Sequence, residues 1–170
     1  MALIKASYTV NRSKAYAGLL ADTSLYNVDG ACASAKSIKV GVVVALDPAG
    51  KVVDGHKVVT DTISAENPNL VGVAIMSHAY SPEGVYAEGS AINVLTNGRA
   101  WVLCAKDLPD ANKEFNKQVF LTTSGTVAAT GIGTVYTTTG EWLKTDDENF
   151  DIIKIQVTQA QFQLPANSEA

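Results

Sequence analysis

Histidine, cysteine, aromatic residues and charged residues are all scarce in this sequence. Of 170 residues, two are His and two are Cys, while aromatic side chains make up 7% and charged side chains 18%. The small charged fraction excludes a coiled coil and a highly charged solvated tail, and an apolar fraction of 46% excludes a disordered chain. A chain of this length is expected to form one compact domain around one core.

The charge balance leans acidic. The 13 Lys and Arg and 17 Asp and Glu residues give a net charge of −4 at pH 7. A protein that neutralises nucleic-acid phosphates carries the opposite sign, so we do not expect DNA or RNA as a partner. The sequence contains no run of the roughly 18 apolar residues that cross a membrane, and it begins without a secretory signal pattern. We therefore expect a soluble protein, made in a cytoplasm and without a membrane partner.

The residue types that enzymes use most are few and dispersed. His56 and His78 are the only histidines, and neither lies in a recognisable nucleophile pattern. The sequence also lacks the strand–turn–helix elbow of a serine hydrolase. An ordinary loop position is the simpler interpretation of both histidines, so we predict no catalytic residue.

Metal and cofactor sites are not predicted either. Two isolated histidines and two distant cysteines give no zinc spacing. The acidic residues Asp146, Asp147, Glu148 and Asp151 lack the spacing and the glycine of a calcium loop, so they indicate a solvated turn. The Gly131-Ile132-Gly133 sequence has no third glycine and no βαβ context, and it indicates a β-turn rather than a dinucleotide site.

The two cysteines, Cys32 and Cys104, form no framework of close pairs. Cys104 lies inside an apolar run, which predicts a small buried hydrophobic residue. Two free thiols are the favoured expectation, and a bridge between them is the alternative.

Strand-forming residues dominate the composition. The sequence holds 19 Val, 9 Ile and 15 Thr, against 12 Leu and 2 Met. Short apolar segments recur, bounded by Gly, Pro, Asn or Asp, which predicts an all-β fold. We expect a single β-barrel or a jelly-roll-like sandwich over residues 38–164, preceded by an arm over residues 1–37. Residues 165–170 are expected to form a flexible tail.

Hydrophobic patterning separates the expected strands into two kinds. Residues 40–46 and 70–75 are apolar without alternation, which predicts burial on both faces. Residues 152–164 alternate, as in a strand with one solvated face.

Three glycine-containing turns are predicted between the strands. Asn97-Gly98 is a strong hairpin signal, because a type I′ turn needs positive φ at both central residues. Asp47-Pro48-Ala49-Gly50 predicts a second hairpin, and Ser124-Gly125 predicts a third turn.

The arm contains the one candidate helix. Ser13 is a possible N-cap, and apolar residues follow it as far as Asp22, although Gly18 weakens the helix. A short helix and an extended arm are equally compatible with this segment.

Two segments resemble a known family. Residues 7–23, SYTVNRSKAYAGLLADT, resemble the aromatic-Ala-Gly-hydrophobic-hydrophobic-Ala-Asp signature near the start of the structural cement proteins of tailed bacteriophages. Residues 69–104 resemble that family's VGVA strand, followed by a Tyr, a Gly-containing turn and a hydrophobic-Thr-x-Gly-Arg-hydrophobic-Trp-Val pattern. Between these segments, VGVVVALDPAGKVV resembles the strand–turn–strand of the same capsid-decorating proteins.

The resemblance implies a β-barrel or sandwich accessory protein without enzymatic activity. Such a protein binds the outer surface of an assembled phage head and clamps neighbouring major capsid proteins, which stabilises the expanded shell. It would be made in the bacterial host cytoplasm and end on the outer surface of the virion. A homo-oligomer is expected, with a dimer favoured over a trimer.

We expect residues 15–22 to be an interface element. This segment lies outside the strand pattern, yet it belongs to one of the two most family-like stretches. Tyr16, Leu19 and Leu20, followed by Asp22, would bury against a capsid subunit or a sister subunit. In the alternative, Tyr16 and Leu20 plug one end of their own barrel.

Trp142 is a second candidate anchor for a partner. It is flanked by Gly140, Glu141 and Lys144, which suggests a position near the surface. Ordinary packing at a sheet edge is the alternative.

Two other function classes fit the same scaffold. A head-fibre or adhesion module that binds a host-surface glycan would present an aromatic platform. A small β-barrel enzyme would need polar residues that converge around His56 and His78, which the sequence does not indicate.

Overall fold

The fold is that of a computed structural model, which describes residues 15–50, 52–66, 68–78 and 83–159. Within these ranges the chain forms twelve strands and one four-residue helix, so the all-β prediction is confirmed. The strands are β1 (Asn27–Ser34), β2 (Ile38–Lys39), β3 (Val43–Leu46), β4 (Val52–Val53), β5 (His56–Thr60), β6 (Leu70–Ala74), β7 (Val85–Tyr86), β8 (Ala91–Ala105), β9 (Phe115–Leu121), β10 (Val127–Ala128), β11 (Ile132–Leu143) and β12 (Phe150–Val157), and the helix is α1 (Asp110–Lys113). The predicted tail, 165–170, and residues 1–14 of the predicted arm lie outside the described residues.

Five strands in the C-terminal half close into a barrel. The second half of β8 pairs with β12, which pairs with β11, and β11 pairs with β9. β9 pairs with β10, and β10 returns to β8 through Val127 and Cys104. We call this body the C-terminal barrel, and its closure selects the barrel over the sandwich.

The first half of β8 belongs to a second set of pairings, which we call the N-terminal ring. From β8 the pairings run through β1, β5, β3 and β6 and return to β8. β4 pairs with β5 alone among the named strands, and β2 and β7 form a separate two-stranded sheet. β8 is therefore shared by both bodies, and its 15 residues give it a length of about 45 Å.

The hairpin predicted at Asn97-Gly98 is wrong, because both residues lie in the middle of β8. Leu95 and Arg99, which would flank such a turn, lie in the same strand instead. Gly98 still has a positive φ of 119°. Gly98 allows another segment of the chain to approach β8 closely, since a β-carbon at Gly98 would lie 2.7 Å from that of Tyr26.

Two other predicted turns are present, and a third was missed. The amide of Gly50 donates to the carbonyl of Asp47 at 2.9 Å, and that of Gly125 donates to Thr122 at 3.1 Å. The missed turn is Asp54-Gly55, with φ values of 49° and 82°, which joins β4 to β5 as a two-residue hairpin. The Asp47–Gly50 turn leads into β4, but β3 pairs with β5 and not with β4.

The boundary predicted at residue 38 needs a correction. Residues 27–34, assigned to an arm, form β1 inside the sheet, where Cys32 and Ala33 are buried. The segment NVDGACAS contains one β-branched residue, so its strand conformation depends on its pairing with β5 and β8 rather than on local propensity.

The apolar interior consists mainly of two clusters that share strands. Val43 and Ala45 face the first cluster, which we call the main core, and Val42 and Val44 face the second, which confirms the predicted burial on both faces of this segment. The buried Cys104 belongs to the first cluster, which extends from the C-terminal barrel to β3 and β6 of the N-terminal ring, and this confirms its predicted burial. Cys32 is buried in the second cluster, and both thiols are free.

Candidate partner-binding surface

Residues 15–21 run beside β8, and we call them the leading segment. The amide of Gly18 donates to the carbonyl of Trp101 at 2.8 Å, and the amide of Ala21 donates to that of Arg99 at 2.9 Å. Gly18 has a φ of 75°, outside the helical region. The segment is therefore not a helix over residues 15–22. It makes a turn at residues 17–18, where the amide of Leu19 donates to the carbonyl of Tyr16 at 3.1 Å, and it pairs with β8 from Gly18 onward, which agrees with the extended alternative there. Ser13 and Lys14 lie outside the described residues.

Glycine allows the leading segment to pack this closely. A β-carbon at Gly18 would lie 2.7 Å from that of Val40, and one at Gly41 would lie 2.8 Å from that of Ala17. The Ala-Gly pair of the signature therefore has a packing role within the chain itself.

The side chains of the leading segment divide between the protein's own core and solvent. Leu19 packs against the cluster that contains Trp101, and Leu20 packs against the main core and bridges to Ala100. Tyr16 is 44% exposed. Leu20 is thus placed as in the alternative in which it packs on its own barrel, whereas Tyr16 is accessible to a partner.

The chain crosses over β8 after the leading segment. Alternate residues of a strand direct their carbonyl groups to the same edge. The carbonyl of Asn93 accepts from Ile75, just beyond β6, and that of Trp101 accepts from Gly18, so β6 and the leading segment share one edge of β8. β1 occupies the other edge. Residues 22–26, the crossover loop, connect the two edges and pass over Gly98.

Asp22 fixes the base of the crossover loop. It accepts hydrogen bonds from the hydroxyl and, at 3.0 Å, the amide of Ser24, and its Oδ2 lies 3.1 Å from Nη1 of Arg99. The hydroxyl of Ser24, with help from Arg99, lowers the pKa of Asp22 below its ordinary value. Beyond this anchor Leu25 is 87% exposed, and Tyr26 is also exposed.

A recess of about 470 Å³ lies between the leading segment and the end of β11. Its lining residues are Ala21, Trp101, Gly140, Glu141, Trp142, Leu143 and Lys154. The structure thus places the predicted anchor Trp142 beside Ala21, next to the predicted Asp22. Trp142 is half-buried and packs partly against the main core, as the alternative of ordinary packing expects.

Two lysines lie over the tryptophan rings at this site. Nζ of Lys113 is 3.9 Å from the centre of the Trp142 ring, and Nζ of Lys154 is 5.9 Å from that of Trp101. Lys113 also pairs with Asp110 at 3.1 Å, and Lys154 pairs with Glu141.

Phe115 extends the apolar surface beyond the recess. It is 76% exposed, and its β-carbon lies 3.5 Å from where a β-carbon of Gly140 would be. We call Leu25, Tyr26, Phe115 and the recess together the barrel patch.

Three further exposed apolar residues lie on the N-terminal ring. Val52, 67% exposed, and Val53 form β4, while Leu46 is the exposed last residue of β3. We call these three residues the hairpin patch. Of the barrel patch, Phe115 belongs to the C-terminal barrel, and Leu25 and Tyr26 belong to the crossover loop before β1.

The sequence interpretation missed Leu25, Phe115 and the hairpin patch. A usable signal was present, because Phe115 stands alone within the polar run KEFNK and Leu25-Tyr26 follows the polar run DTS. Single exposed apolar residues are ordinary on protein surfaces, so such positions become candidates for contact surfaces only where the fold brings further exposed apolar side chains beside them.

The described residues hold few groups suited to chemistry. His56 Nδ1 lies 3.1 Å from the carbonyl oxygen of Asp54, and His78 is exposed. Within the described ranges no three His, Cys, Asp or Glu side chains are grouped as metal ligands, and no helix there is long and apolar enough to span a membrane.

Comparison with known proteins gives one family and a structural neighbour. A family model described as structural cement protein (E217 gp24/Pam3 gp6) matches residues 4–158. A chain from the solved capsid of Myoviridae phage XM1 is similar in fold, with a TM-score of 0.57 and 16% identity, over 90% of this chain and 96% of that one. No curated protein matches the sequence.

Proposed function

Since this chain belongs to the structural cement protein family, we propose that it binds the outer surface of an assembled phage head and clamps neighbouring major capsid proteins. Membership in this family gives the chain a structural, capsid-associated role. The finer statements, namely the outer surface, the clamping and the preference for an expanded shell, are the proposal. The same proposal has the protein made in the bacterial host cytoplasm and acting without catalysis.

The observation that carries the clamping proposal is the separation of two exposed apolar patches. A clamp needs at least two contact surfaces, one for each neighbouring subunit. Phe115 and the recess of the barrel patch belong to the C-terminal barrel and Leu25 and Tyr26 belong to the crossover loop, while the hairpin patch lies on the N-terminal ring, and the shared β8 holds the two bodies together. Apolar side chains exposed to this extent are typical of surfaces that a partner covers.

Stabilisation of a shell by such a protein follows from mass action. A ligand that binds the expanded lattice and not its dissociated or unexpanded forms stabilises that lattice by RT ln(1 + [L]/Kd) per site. At a concentration 100 times Kd this is about 2.7 kcal/mol per site. Over many identical sites the effect is large without any chemical reaction.

The predicted interface residues enter the proposal with different roles. Tyr16 is the exposed member of the leading segment and is proposed to contact a partner, whereas Leu19, Leu20 and Asp22 position that segment and the crossover loop. Trp142 is proposed to contact the partner through the recess. A homodimer is proposed as the free form, which light scattering coupled to size exclusion would measure.

Co-sedimentation with expanded heads that lack the protein tests the proposal. We expect Leu25→Ser/Phe115→Ser and, separately, Val52→Ser/Val53→Ser to weaken binding by at least about tenfold. Val85→Ser, which alters an exposed valine outside both patches, is the control and should bind normally. Heads should resist heat better with the wild type than with either double variant.

The outcomes separate clamping from simpler binding. Normal binding by the hairpin-patch variant, with full protection of the shell, would overturn the two-surface clamp and leave a single contact surface. No binding of the wild type to heads, together with binding to host-surface glycans, would replace the proposal with the adhesion alternative.

A further inference from the structure

The recess in the barrel patch is open to solvent and combines apolar residues with the charged Glu141 and Lys154 in its lining. The chain's only two tryptophans, Trp101 and Trp142, both line it, together with Ala21 and Leu143. A volume of about 470 Å³ is ample for one large apolar side chain of a partner.

Two lysines at the recess are already paired with acidic groups. Lys154 pairs with Glu141, which also lines the recess, and Lys113 pairs with Asp110. The two lysines also lie over tryptophan rings. A charged partner group would therefore have to compete with an existing ion pair, whereas an uncharged group would leave both pairs in place.

Charged groups at the rim of the recess also form ion pairs. Arg99 and Asp22 pair at the base of the crossover loop, and Lys117 and Glu114 pair beside Phe115. The four ion pairs named here contain four acidic and four basic groups, so together they carry no net charge. The large exposed side chains that project beyond them, Leu25 and Phe115, are apolar. A partner surface that complements this face is therefore uncharged and apolar.

We infer that an uncharged apolar side chain of the major capsid subunit occupies the recess and that the barrel patch binds through apolar contact rather than through charge. This inference rests on the proposed function and adds to it the chemistry of the partner. Because the charges of the patch are internally paired, binding should depend only weakly on salt.

Photo-crosslinking locates the occupant. Glu141→p-benzoylphenylalanine places the reactive group at the recess, and Glu66→p-benzoylphenylalanine places it at an exposed site on the N-terminal half as the control. We expect a covalent adduct with the major capsid protein from position 141 and none from position 66. Heads that bind the position-141 protein without forming an adduct would overturn the inference and leave the proposed function intact, whereas absence of binding by the wild-type protein would count against the proposed function itself.

Binding measurements test the chemistry of the occupant. Raising NaCl from about 50 to about 500 mM should change Kd by less than about threefold. A loss of about tenfold or more over this range of salt would show a charged partner and overturn the inference.

Filling the recess provides an independent test. Ala21→Leu should weaken head binding by at least about tenfold, whereas Ala87→Leu, at an exposed alanine of the N-terminal half, should not. Thermal unfolding of each free variant identifies any loss of folding. If Ala21→Leu does not fold, the crosslinking result alone tests whether the recess is occupied. Normal binding by a folded Ala21→Leu protein would contradict occupation of the recess.

Discussion

A β-carbon on Gly98 would lie 2.7 Å from the β-carbon of Tyr26. This is closer than two such carbons can approach, and Gly98 also has a φ of 119°, which side-chain-bearing residues rarely adopt. The contact marks the point where the crossover loop passes over β8. Gly98 thus allows β8 to continue through both bodies while the crossover loop passes over it from one edge of β8 to the other.

Gly98→Ala should lower the free energy of unfolding by more than about 2 kcal/mol, because it combines backbone strain with a steric clash. Gly89→Ala is the matched control, since Gly89 has a φ of 73° but open space around it. The control should lose only about 1 kcal/mol. Urea unfolding of both variants measures the difference, and equal losses would show that the clash with Tyr26 is relieved without significant cost.

The same glycine shows how far the sequence can predict this fold. Asn97-Gly98 and Asp54-Gly55 are both hairpin signals, but only the second forms a hairpin. The difference arises from long-range register, because Asn97 pairs with Asn27, 70 positions earlier in the chain. Strand composition and turn glycines therefore predicted the all-β class, whereas the course of β8 depends on pairing that no short segment encodes.

Only part of the candidate surface could be predicted, because some of it depends on contacts between distant segments. Trp142 and residues 15–22 were identified from residue type and from the family resemblance. The recess was not identified, because it forms only when Ala21, Lys154 and Trp142 are brought together from three separate segments. The prediction that β1 was part of an arm failed because small residues in NVDGACAS conceal a strand that tertiary pairing imposes.

Leu20 and Tyr16 should respond differently to substitution. Leu20→Ser should destabilise the free protein by about 1–3 kcal/mol, because its side chain packs against the main core. Tyr16→Ser should change stability by less than about 0.5 kcal/mol, because Tyr16 is largely exposed. Thermal unfolding measures both effects, and co-sedimentation with heads then reports the role of Tyr16 separately. A strongly destabilised Tyr16→Ser protein would place Tyr16 in the core and end its proposed role in binding.

Both cysteines should be inert in the folded protein. Burial raises the pKa of Cys32 to about 11 and that of Cys104 to about 12. Thiolate, the reactive form, is therefore rare at pH 8, and neither sulfur is exposed to a reagent. An aromatic disulfide reagent should detect no fast thiol in the native protein and two thiols in denaturant. One rapidly reacting thiol without denaturant would contradict the burial of that cysteine.

The same shifts predict a loss of stability in alkali. The folded pKa of each thiol is raised, so each stays protonated above pH 9 while the unfolded chain loses its protons. Stability should therefore fall as pH rises through the ordinary thiol value of 9.0. Cys32→Ala/Cys104→Ala, although less stable at neutral pH, should show a shallower decline between about pH 9 and pH 11 than the wild type.

Asp29 and Lys57 link β1 to β5 through an ion pair, and this pair should make stability sensitive to acid. Burial acts to raise the pKa of Asp29, but the ion pair with Lys57 and a 2.8 Å hydrogen bond from the amide of Ala31 outweigh it, so the pKa lies below its ordinary value of 3.8. A carboxylate with a lowered folded pKa stabilises the protein above its unfolded pKa, and this contribution disappears as pH falls through the folded value. Lys57 is partly exposed, which limits the contribution to under about 1 kcal/mol.

Asp29→Asn should therefore be less stable than the wild type at pH 7, and the difference should shrink once pH falls below 3.8, where the wild-type carboxylate also becomes protonated. Asp54→Asn is the control, because Asp54 lies in an exposed turn with positive φ, a conformation that Asn readily adopts. It measures the effect of replacing an exposed turn carboxylate by its amide. Thermal unfolding of the three proteins from pH 7 down to pH 2.5 measures the effect. A constant deficit for Asp29→Asn across this range would mean that the shape or the hydrogen bonding of residue 29, rather than its charge, holds β1 against β5.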